Sequence, residues 1–269
     1  MPRTSEMMPH DLAIALTLLE GDKYKAILPT DYIAHLRKQN RPNNVEAAYQ
    51  INNKIVLWVK QSVLHYDSIA SRAQVLKFFV NTALACRKFR NFSSVTAIAN
   101  ALHSAPIDRL RQTKNELSPE LKLALDELDD LLDPSANHRT YRAALREFSD
   151  SEYRDACIPW IAVHLRELHS TLQKYPTVVE VDGHPLINFE RYIRFTDRIK
   201  EVLHYVPPDL ERYRQLGQLA YLENQLRSVQ LKPTIDEDVM QRSMTLEVGE
   251  TRDYRTRKRE LKRLGFKTG

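Results

Sequence analysis

Histidine and cysteine are the residue types most able to do chemistry, and the sequence places them in few useful patterns. His164 and His169 flank an LREL stretch that resembles part of a zinc-binding helix. Because they are five positions apart, they lie about 140° apart around a helix, whereas the HExxH zinc motif separates its histidines by four. Cys86 follows Phe79 and Ala83 at helical spacing, which predicts a buried, unreactive thiol. The sequence therefore predicts neither a metal site nor a catalytic cysteine.

Motifs for cofactor binding and hydrolysis are absent as well. The sequence has no GxxxxGK[ST] phosphate-binding loop, no GxSxG nucleophile motif and no CxxC pair. Its two cysteines cannot form a disulfide framework or a structural zinc site, which is typical of a reducing compartment. No apolar run approaches the roughly 18 residues of a membrane span, and no signal-peptide pattern is present. We expect a cytoplasmic protein without a cofactor.

The positive charge is confined to one end of the chain. The net charge is +5, yet residues 252–269 alone hold eight basic and two acidic residues. The other 251 residues hold 32 basic and 33 acidic side chains, so the body is near neutral. A near-neutral body lacks the basic face that a phosphate backbone requires, and no nucleic-acid partner is expected. The basic tail predicts contact with an acidic membrane surface or an acidic partner, with a solvated, frayed terminus as the preferred alternative.

Apolar residues recur at helical spacing along nearly the whole chain, and glycine is scarce. This pattern predicts an all-α domain rather than a β-sandwich or barrel. The best-defined helix covers 118–132, where Ser118 stands at the N-cap and Pro119 at the first helical position. Asp11 is expected to cap the first helix and Gly21 to end it. Further helices are predicted over 51–64, 72–89, 93–103, 159–173, 188–205 and 209–228.

Five stretches of sequence go beyond a generic helical domain. They are DLAIALTLLEGDKY (11–24), CRKFRNFSSVTAIANALHSAPIDRL (86–110), LDPSANHRTYR (132–142), CIPWIAVHLREL (157–168) and PLINFERY (185–192). In this order and at these spacings they closely resemble the catalytic domain of the Ras-type guanine-nucleotide exchange factors. We therefore expect an exchange-factor domain over 10–251, preceded by an extension over 1–9 and followed by the basic tail over 252–269.

The resemblance implies a fold and an activity. The fold would be a single helical, bowl-like domain with a protruding helical hairpin, formed by the helices at 159–173 and 188–205. Asp182 and Gly183 between them predict a tight turn. The substrate would be a Ras-, Rap- or Ral-type small GTPase with GDP bound. The hairpin would open switch I of the GTPase and release GDP, and cellular GTP would then fill the empty site. No covalent bond would be made or broken, so the protein would be an exchange factor and not an enzyme with covalent chemistry.

The resemblance also assigns residues on the hairpin. Trp160 is expected among the GTPase-binding residues, in the place of an aromatic residue that braces the first hairpin helix. Plain core is the alternative for Trp160. Leu165 and Leu168 are expected near the GTPase, with packing inside the hairpin as the stronger alternative. His169 and Gln173 fall where the family places residues aimed at the nucleotide site, and their spacing of four puts them on one helix face. An ordinary solvated flank is the alternative for this last pair.

A second group of residues lies in the HSAPIDRL turn. His103, Asp108 and Arg109 are expected to contact the GTPase, although His103 is equally interpreted as a structural histidine. His103 replaces an asparagine common in the family, Asp108 replaces a serine or an aromatic residue, and Gln173 is neutral where the family has an acid. These departures suggest altered specificity or weaker catalysis. The alternative function is therefore an inactive, exchange-factor-like module that binds a GTPase or a scaffold.

Overall fold

The computed structural model describes residues 7–39, 42–147 and 156–247, and this part of the chain is almost entirely helical. The predicted all-α class is confirmed. A 3₁₀ turn covers Glu211–Tyr213. The other elements are α1 (Pro9–Lys25), α2 (Pro29–Leu36), α3 (Asn44–Leu64), α4 (Ile69–Lys88), α5 (Phe92–Leu102), α6 (Ala105–Asp108), α7 (Arg111–Asn115), α8 (Pro119–Leu132), α9 (Ser135–Glu147), α10 (Ile161–Lys174), β1 (Val178–Val181), β2 (His184–Ile187), α11 (Phe189–Leu203), α12 (Gln218–Ser228) and α13 (Ile235–Leu246).

Helix α8 has the start and the end that its sequence predicts. The Ser118 hydroxyl accepts a hydrogen bond from the backbone N–H of Leu121 at 3.5 Å, and Pro119 occupies the first helical position. Leu125 and Leu128 are buried on the inner face. The helix ends just before the Asp-Pro step, because a residue that precedes proline avoids the helical region.

Helix α1 differs from its prediction at both ends. It begins at Pro9 with Met8 as the N-cap residue, and it continues through Gly21 to Lys25. The predicted cap at Asp11 and the predicted stop at Gly21 are both wrong. A Cβ atom at Gly21 would lie 3.2 Å from the Cβ of Pro207, so this glycine allows a close approach between two segments rather than ending a helix.

The region after the hairpin is less regular than predicted. The helix expected over 209–228 begins only at Gln218, because Gly217 adopts a left-handed conformation with φ of 74°. The sequence analysis also missed α2, α9 and α13, which are short or have few apolar residues. These missed helices matter, because α2 and α9 support the hairpin and α13 closes the core from the C-terminal side.

The main core lies around α1, which packs against α3, α4, α5 and α12. Helix α1 is apolar on nearly all faces, as expected of a helix that crosses the middle of a core. Leu12 and Leu16 are completely buried there, together with Trp58 and Phe79, whose rings meet edge to face at 5.4 Å. We refer to this core and its helices as the scaffold of the hairpin.

Helices α10 and α11 pack side by side and rest on α2, over a second, smaller core. Strands β1 and β2 join them as an antiparallel pair, with Val178 opposite Ile187. Asp182 and Gly183 form the turn with φ angles of 51° and 78°, the positive values that a two-residue hairpin of this kind requires. The predicted turn and the two predicted helices are confirmed, and we refer to α10, β1, β2 and α11 as the helical hairpin.

Candidate functional site

The two helices of the hairpin are tied to each other and to the scaffold. At the scaffold end, the Tyr24 hydroxyl of α1 donates a hydrogen bond to the backbone carbonyl of Val202 in α11. At the far end, the Arg191 guanidinium of α11 donates to the carbonyls of Leu172 and Tyr175. The last carbonyls of a helix lack partners within it, so Arg191 satisfies the end of α10 and fixes it to α11.

His169 and Gln173 lie in the outer half of α10, and both are exposed. Their spacing of four residues places them on one face of the helix. The amide of Gln173 is neutral, so it offers hydrogen bonds but no charge to a phosphate or a metal ion. The structure thus makes both side chains accessible to a partner protein.

The far end of the hairpin exposes a cluster of large apolar side chains. Phe189, at the start of α11, is 70% exposed, and the other members are between 43% and 60% exposed. We call this cluster the tip patch, and its members are Val178, Val181, Leu186, Ile187, Phe189, Tyr192 and Ile193. By the strand register, Val178 and Ile187 share one face of the strand pair, and Val181 and Leu186 share the other. Large apolar side chains exposed in this number are typical of a protein-protein interaction site.

Leu165 and Leu168 lie on the inner face of α10 and are 7% and 0% exposed. They belong to the small core of the hairpin with Phe195, Ile199 and Val202 of α11. This burial favours the packing alternative over direct contact with a GTPase. They hold α10 against α11, as the packing alternative states.

Trp160 immediately precedes α10 and is partly buried against the main core. Its ring meets the rings of His138 and Tyr141 edge to face, with centroids 5.0 and 5.8 Å apart. Its backbone N–H donates to the Tyr141 hydroxyl at 2.9 Å. These contacts are those of a residue that braces the start of the hairpin.

His103 ends α5 and holds it against α8. Its Nε2 lies 3.1 Å from the carbonyl oxygen of Leu125, and its Nδ1 lies 3.6 Å from a carboxylate oxygen of Asp129. The side chain is only 18% exposed. This geometry favours the structural interpretation of His103 over contact with a GTPase.

Arg109 is buried and anchors α13. Its guanidinium donates to the backbone carbonyls of Ser243 at 2.6 Å and of Glu247 at 2.9 Å. These donors are directed into the protein, which favours a structural role for Arg109 over contact with a GTPase. Asp108 next to it is exposed and forms an ion pair with Lys114 at 2.6 Å, so of this pair only Asp108 is accessible to a partner.

The predicted site residues thus fall into two groups on different elements. One group lies on the hairpin, whereas the residues of the 103–109 turn make their described contacts with α7, α8 and α13.

Sequence analysis missed the tip patch, although the sequence of α11 contains a signal for it. Helix α11 is apolar on two faces, one with Phe189 and Ile193 and one with Phe195 and Ile199, and only the second is buried. A helix with two apolar faces requires a second partner.

Cys86 and His164 are buried titratable groups. Cys86 is completely buried, as predicted, and burial raises the pKa of its thiol, which keeps it protonated. His164 is buried too, and burial lowers its pKa to about 4. Within 7–39, 42–147 and 156–247, no group of three or more His, Cys, Asp or Glu side chains is placed to hold a metal ion. None of the described helices has both the length and the apolar character needed to cross a bilayer.

The chain is similar in sequence to several guanine nucleotide exchange factors. The guanine nucleotide exchange factor SDC25 of Saccharomyces cerevisiae is 28% identical over 231 residues, which cover 81% of this chain and 18% of that protein. Human Rap guanine nucleotide exchange factor 6 is 29% identical over 80% of this chain and 14% of its own length. Ras guanine nucleotide exchange factor efc25 of Schizosaccharomyces pombe is 27% identical over 82% of this chain and 22% of its own length. The chain therefore spans at most about a fifth of each of these relatives.

The sequence model of the RasGEF domain matches residues 11–193, which begin in α1 and end within the first turns of α11. The match includes the HSAPIDRL turn, α10, both strands and the tip patch. Because it covers more than half of the 269 residues, the chain belongs to the RasGEF domain family.

Proposed function

We propose that this chain accelerates the release of GDP from a small GTPase of the Ras, Rap or Ral type by inserting its helical hairpin near switch I. Membership of the RasGEF domain family supports the class of activity, and the relatives named above are exchange factors for guanine nucleotides. The single observation that carries the proposal is the tip patch, which exposes apolar side chains at the far end of the helix pair α10 and α11. After release, GTP enters the empty site.

The mechanism requires preferential binding to the nucleotide-free GTPase. A 10⁵-fold acceleration of GDP release corresponds to about 7 kcal/mol of lowered barrier. At about 25 cal/mol per Å², roughly 280 Å² of apolar surface buried only in the nucleotide-free complex would supply this amount. Phe189 alone is 70% exposed, and the tip patch has six further members, so the hairpin carries apolar surface of the required order. The preference is a differential-binding effect and needs no covalent step.

His169 and Gln173 act in this proposal beside the tip patch. Both are exposed on the outer half of α10, on a flank that a GTPase docked at the hairpin would meet. Because Gln173 is neutral, it competes for hydrogen bonds around the nucleotide but does not repel phosphate. The opening of the site therefore depends mainly on the steric insertion of the hairpin.

The experiment is release of a fluorescent GDP analogue from Ras-, Rap- and Ral-type GTPases. Ile193→Asp places a charge in the tip patch, whereas Leu123→Asp is a matched control on α8, since these side chains are 59% and 61% exposed. We expect wild-type protein and Leu123→Asp to accelerate release from at least one GTPase, and Ile193→Asp to lose most of the acceleration. No acceleration by wild-type protein on any GTPase would contradict the proposal.

A second candidate function is a GTPase-binding module without exchange activity, and the neutral Gln173 favours it. Restoring a carboxylate with Gln173→Glu separates the two functions. If the missing charge limits activity, this variant releases GDP faster than wild type. An unchanged rate, with wild-type protein active, removes the argument for an inactive module. His103→Asn is a poorer test, because it also removes the hydrogen bond that holds α8.

The basic tail over 252–269 lies outside the described residues. We propose that it recruits the protein to an acidic membrane surface or an acidic partner, since each Lys or Arg near an anionic surface contributes about 1 kcal/mol. Sedimentation with phosphatidylserine vesicles tests the membrane, with a chain ending at residue 251 as the control. Equal binding of the two chains would refute a role for the tail.

A further inference from the structure

A group of buried polar side chains joins α9 to the start of α10, at the root of the hairpin. The Tyr141 hydroxyl accepts a hydrogen bond from the Trp160 N–H at 2.9 Å and lies 3.1 Å from Nε2 of His164. Burial raises the pKa of Tyr141 and lowers that of His164 to about 4, so both are neutral. A neutral His164 has one ring proton, so the tautomer of His164 decides which of the two groups donates this hydrogen bond.

An ion pair continues this connection one turn further along α10. Nη2 of Arg142 lies 2.6 Å from Oε1 of Glu167, and the two side chains are only 20% and 17% exposed. The other carboxylate oxygen of Glu167 lies 3.8 Å from Nδ1 of His164. We call Tyr141, Arg142, His164 and Glu167 the root brace. It links two adjacent residues of α9 to two residues one turn apart on α10.

The backbone in front of Tyr141 is held in an unfavourable conformation. Ala136, Asn137 and His138 all have positive φ angles, of 48°, 59° and 56°, which non-glycine residues rarely adopt. The carbonyl of Asn137 accepts a hydrogen bond from Nε of Arg142 at 2.7 Å, and Nε2 of His138 lies 3.1 Å from Arg166 of α10. Such strain persists only where the surroundings fix it, and here they include Arg142 within α9 and Arg166 of α10.

We propose that the root brace sets the orientation of the hairpin and that its members are positioning residues for nucleotide exchange. This inference rests on the proposed function. Helix α10 has 14 residues and is therefore about 21 Å long. A rotation of about 5° at its root moves the far end by about 2 Å, enough to misplace the tip patch against a partner. Apolar packing alone is non-directional, whereas hydrogen bonds and ion pairs fix an angle.

The test reverses the charges of the ion pair singly and together. Arg142→Glu and Glu167→Arg each place like charges in contact, and the double variant restores an attractive pair. Glu223→Arg is a matched control, because Glu223 forms its ion pair with Arg227 inside α12, away from the hairpin. Spin labels on Glu180→Cys in β1 and Glu127→Cys in α8 report the distance between hairpin and scaffold. Both positions are exposed, and the two native cysteines are buried.

We expect each single reversal to shift the distance distribution by about 2 Å or more, and the double variant to restore it, as the lever length predicts. Exchange should fall about tenfold at saturating GTPase in each single variant, corresponding to about 1.4 kcal/mol of barrier, and recover in the double variant. Thermal denaturation shows whether each variant is folded. If a reversal unfolds the protein, Glu167→Gln replaces it in the same measurements.

An unchanged distance distribution in both single variants would overturn the positioning role, whatever the exchange rates are. A loss of exchange that the double variant does not recover would also overturn it. The distance measurement needs no GTPase, so it remains decisive if wild-type protein releases GDP from no GTPase. That result would refute the proposed function alone.

Discussion

The buried ion pair between Arg72 and Glu247 gives a sharp prediction about stability. The two side chains are 0% and 1% exposed, and Nη2 of Arg72 lies 3.1 Å from Oε1 of Glu247. The Glu247 carboxylate also accepts hydrogen bonds from the Thr113 hydroxyl at 2.7 Å and from the backbone N–H groups of Gln112 and Thr113. Glu247→Ala would remove all of these and leave the guanidinium buried without a counter-charge.

Breaking one side of a buried ion pair costs about 3–5 kcal/mol, a large share of the 5–15 kcal/mol that stabilises a typical domain. We expect Glu247→Ala to lower the free energy of unfolding by this amount, measured by urea denaturation with circular dichroism. Asp236→Ala is the control, because Asp236 is 83% exposed and forms a surface ion pair with Lys60. The control should change stability by less than about 1 kcal/mol.

The double variant Arg72→Met/Glu247→Leu tests whether the unpaired charge of Arg72 causes the loss of stability. Replacing a buried pair by apolar residues of similar volume is often neutral or stabilising, so this variant should recover the part of the loss that comes from the unpaired arginine. The donors of Gln112 and Thr113 remain unpaired in both variants. Equal and small effects of Glu247→Ala and Asp236→Ala would refute the reasoning. A double variant that is as unstable as Glu247→Ala would show that the loss does not come from the unpaired arginine.

Three further predictions follow from buried groups. Since burial lowers the pKa of His164 from 6.5 to about 4, protonation favours the unfolded chain, and stability falls by about 3 kcal/mol between pH 6.5 and 4. His164→Gln should remove that part of the pH dependence, and an identical pH profile would count against it. Leu168→Ala should cost about 2–5 kcal/mol in urea denaturation, and a loss below 1 kcal/mol would contradict its place in the core. Cys86 should react with a thiol reagent only on unfolding, and prompt labelling of native protein would refute its burial.

Local signals explain which elements could be predicted from the sequence. Ser118 and Pro119 define the start of α8 through interactions within one turn, and Asp182 with Gly183 defines the hairpin turn through its own backbone preference. The predicted helix end at Gly21 was wrong, because a glycine is needed there for the close approach of Pro207, a residue distant in sequence. Local preference cannot report a contact of that kind.

Helix α13 and the buried arginines illustrate the same limit. Helix α13 has little apolar surface and is held by Arg109 and Glu247, whose partners are more than a hundred positions away. Arg109 of the HSAPIDRL turn therefore has a structural role, which is to bind the carbonyls of Ser243 and Glu247. Its position in the sequence does not reveal these partners. The family model ends at 193, yet these contacts show that the folded unit continues to at least residue 247.

Local and distant information also differ for the residues of the candidate site. The spacing of His169 and Gln173 predicts one helix face, because helical geometry is local, and both side chains are exposed on α10. Leu165 and Leu168 could not be assigned to core or surface without knowing where α11 packs. The tip patch required the same knowledge, since only the packing of Phe195 and Ile199 shows which apolar face of α11 is left uncovered.

Preference for the nucleotide-free GTPase is the central claim, and it can be measured directly. Isothermal titration or surface plasmon resonance would compare the affinity of this chain for one responsive GTPase in its GDP-bound form and after the nucleotide has been stripped. We expect binding to the stripped form to be tighter by several orders of magnitude, and Ile193→Asp to reduce mainly that affinity. Equal affinities for the two forms would contradict the account, because a protein that binds both forms equally cannot shift the equilibrium towards release.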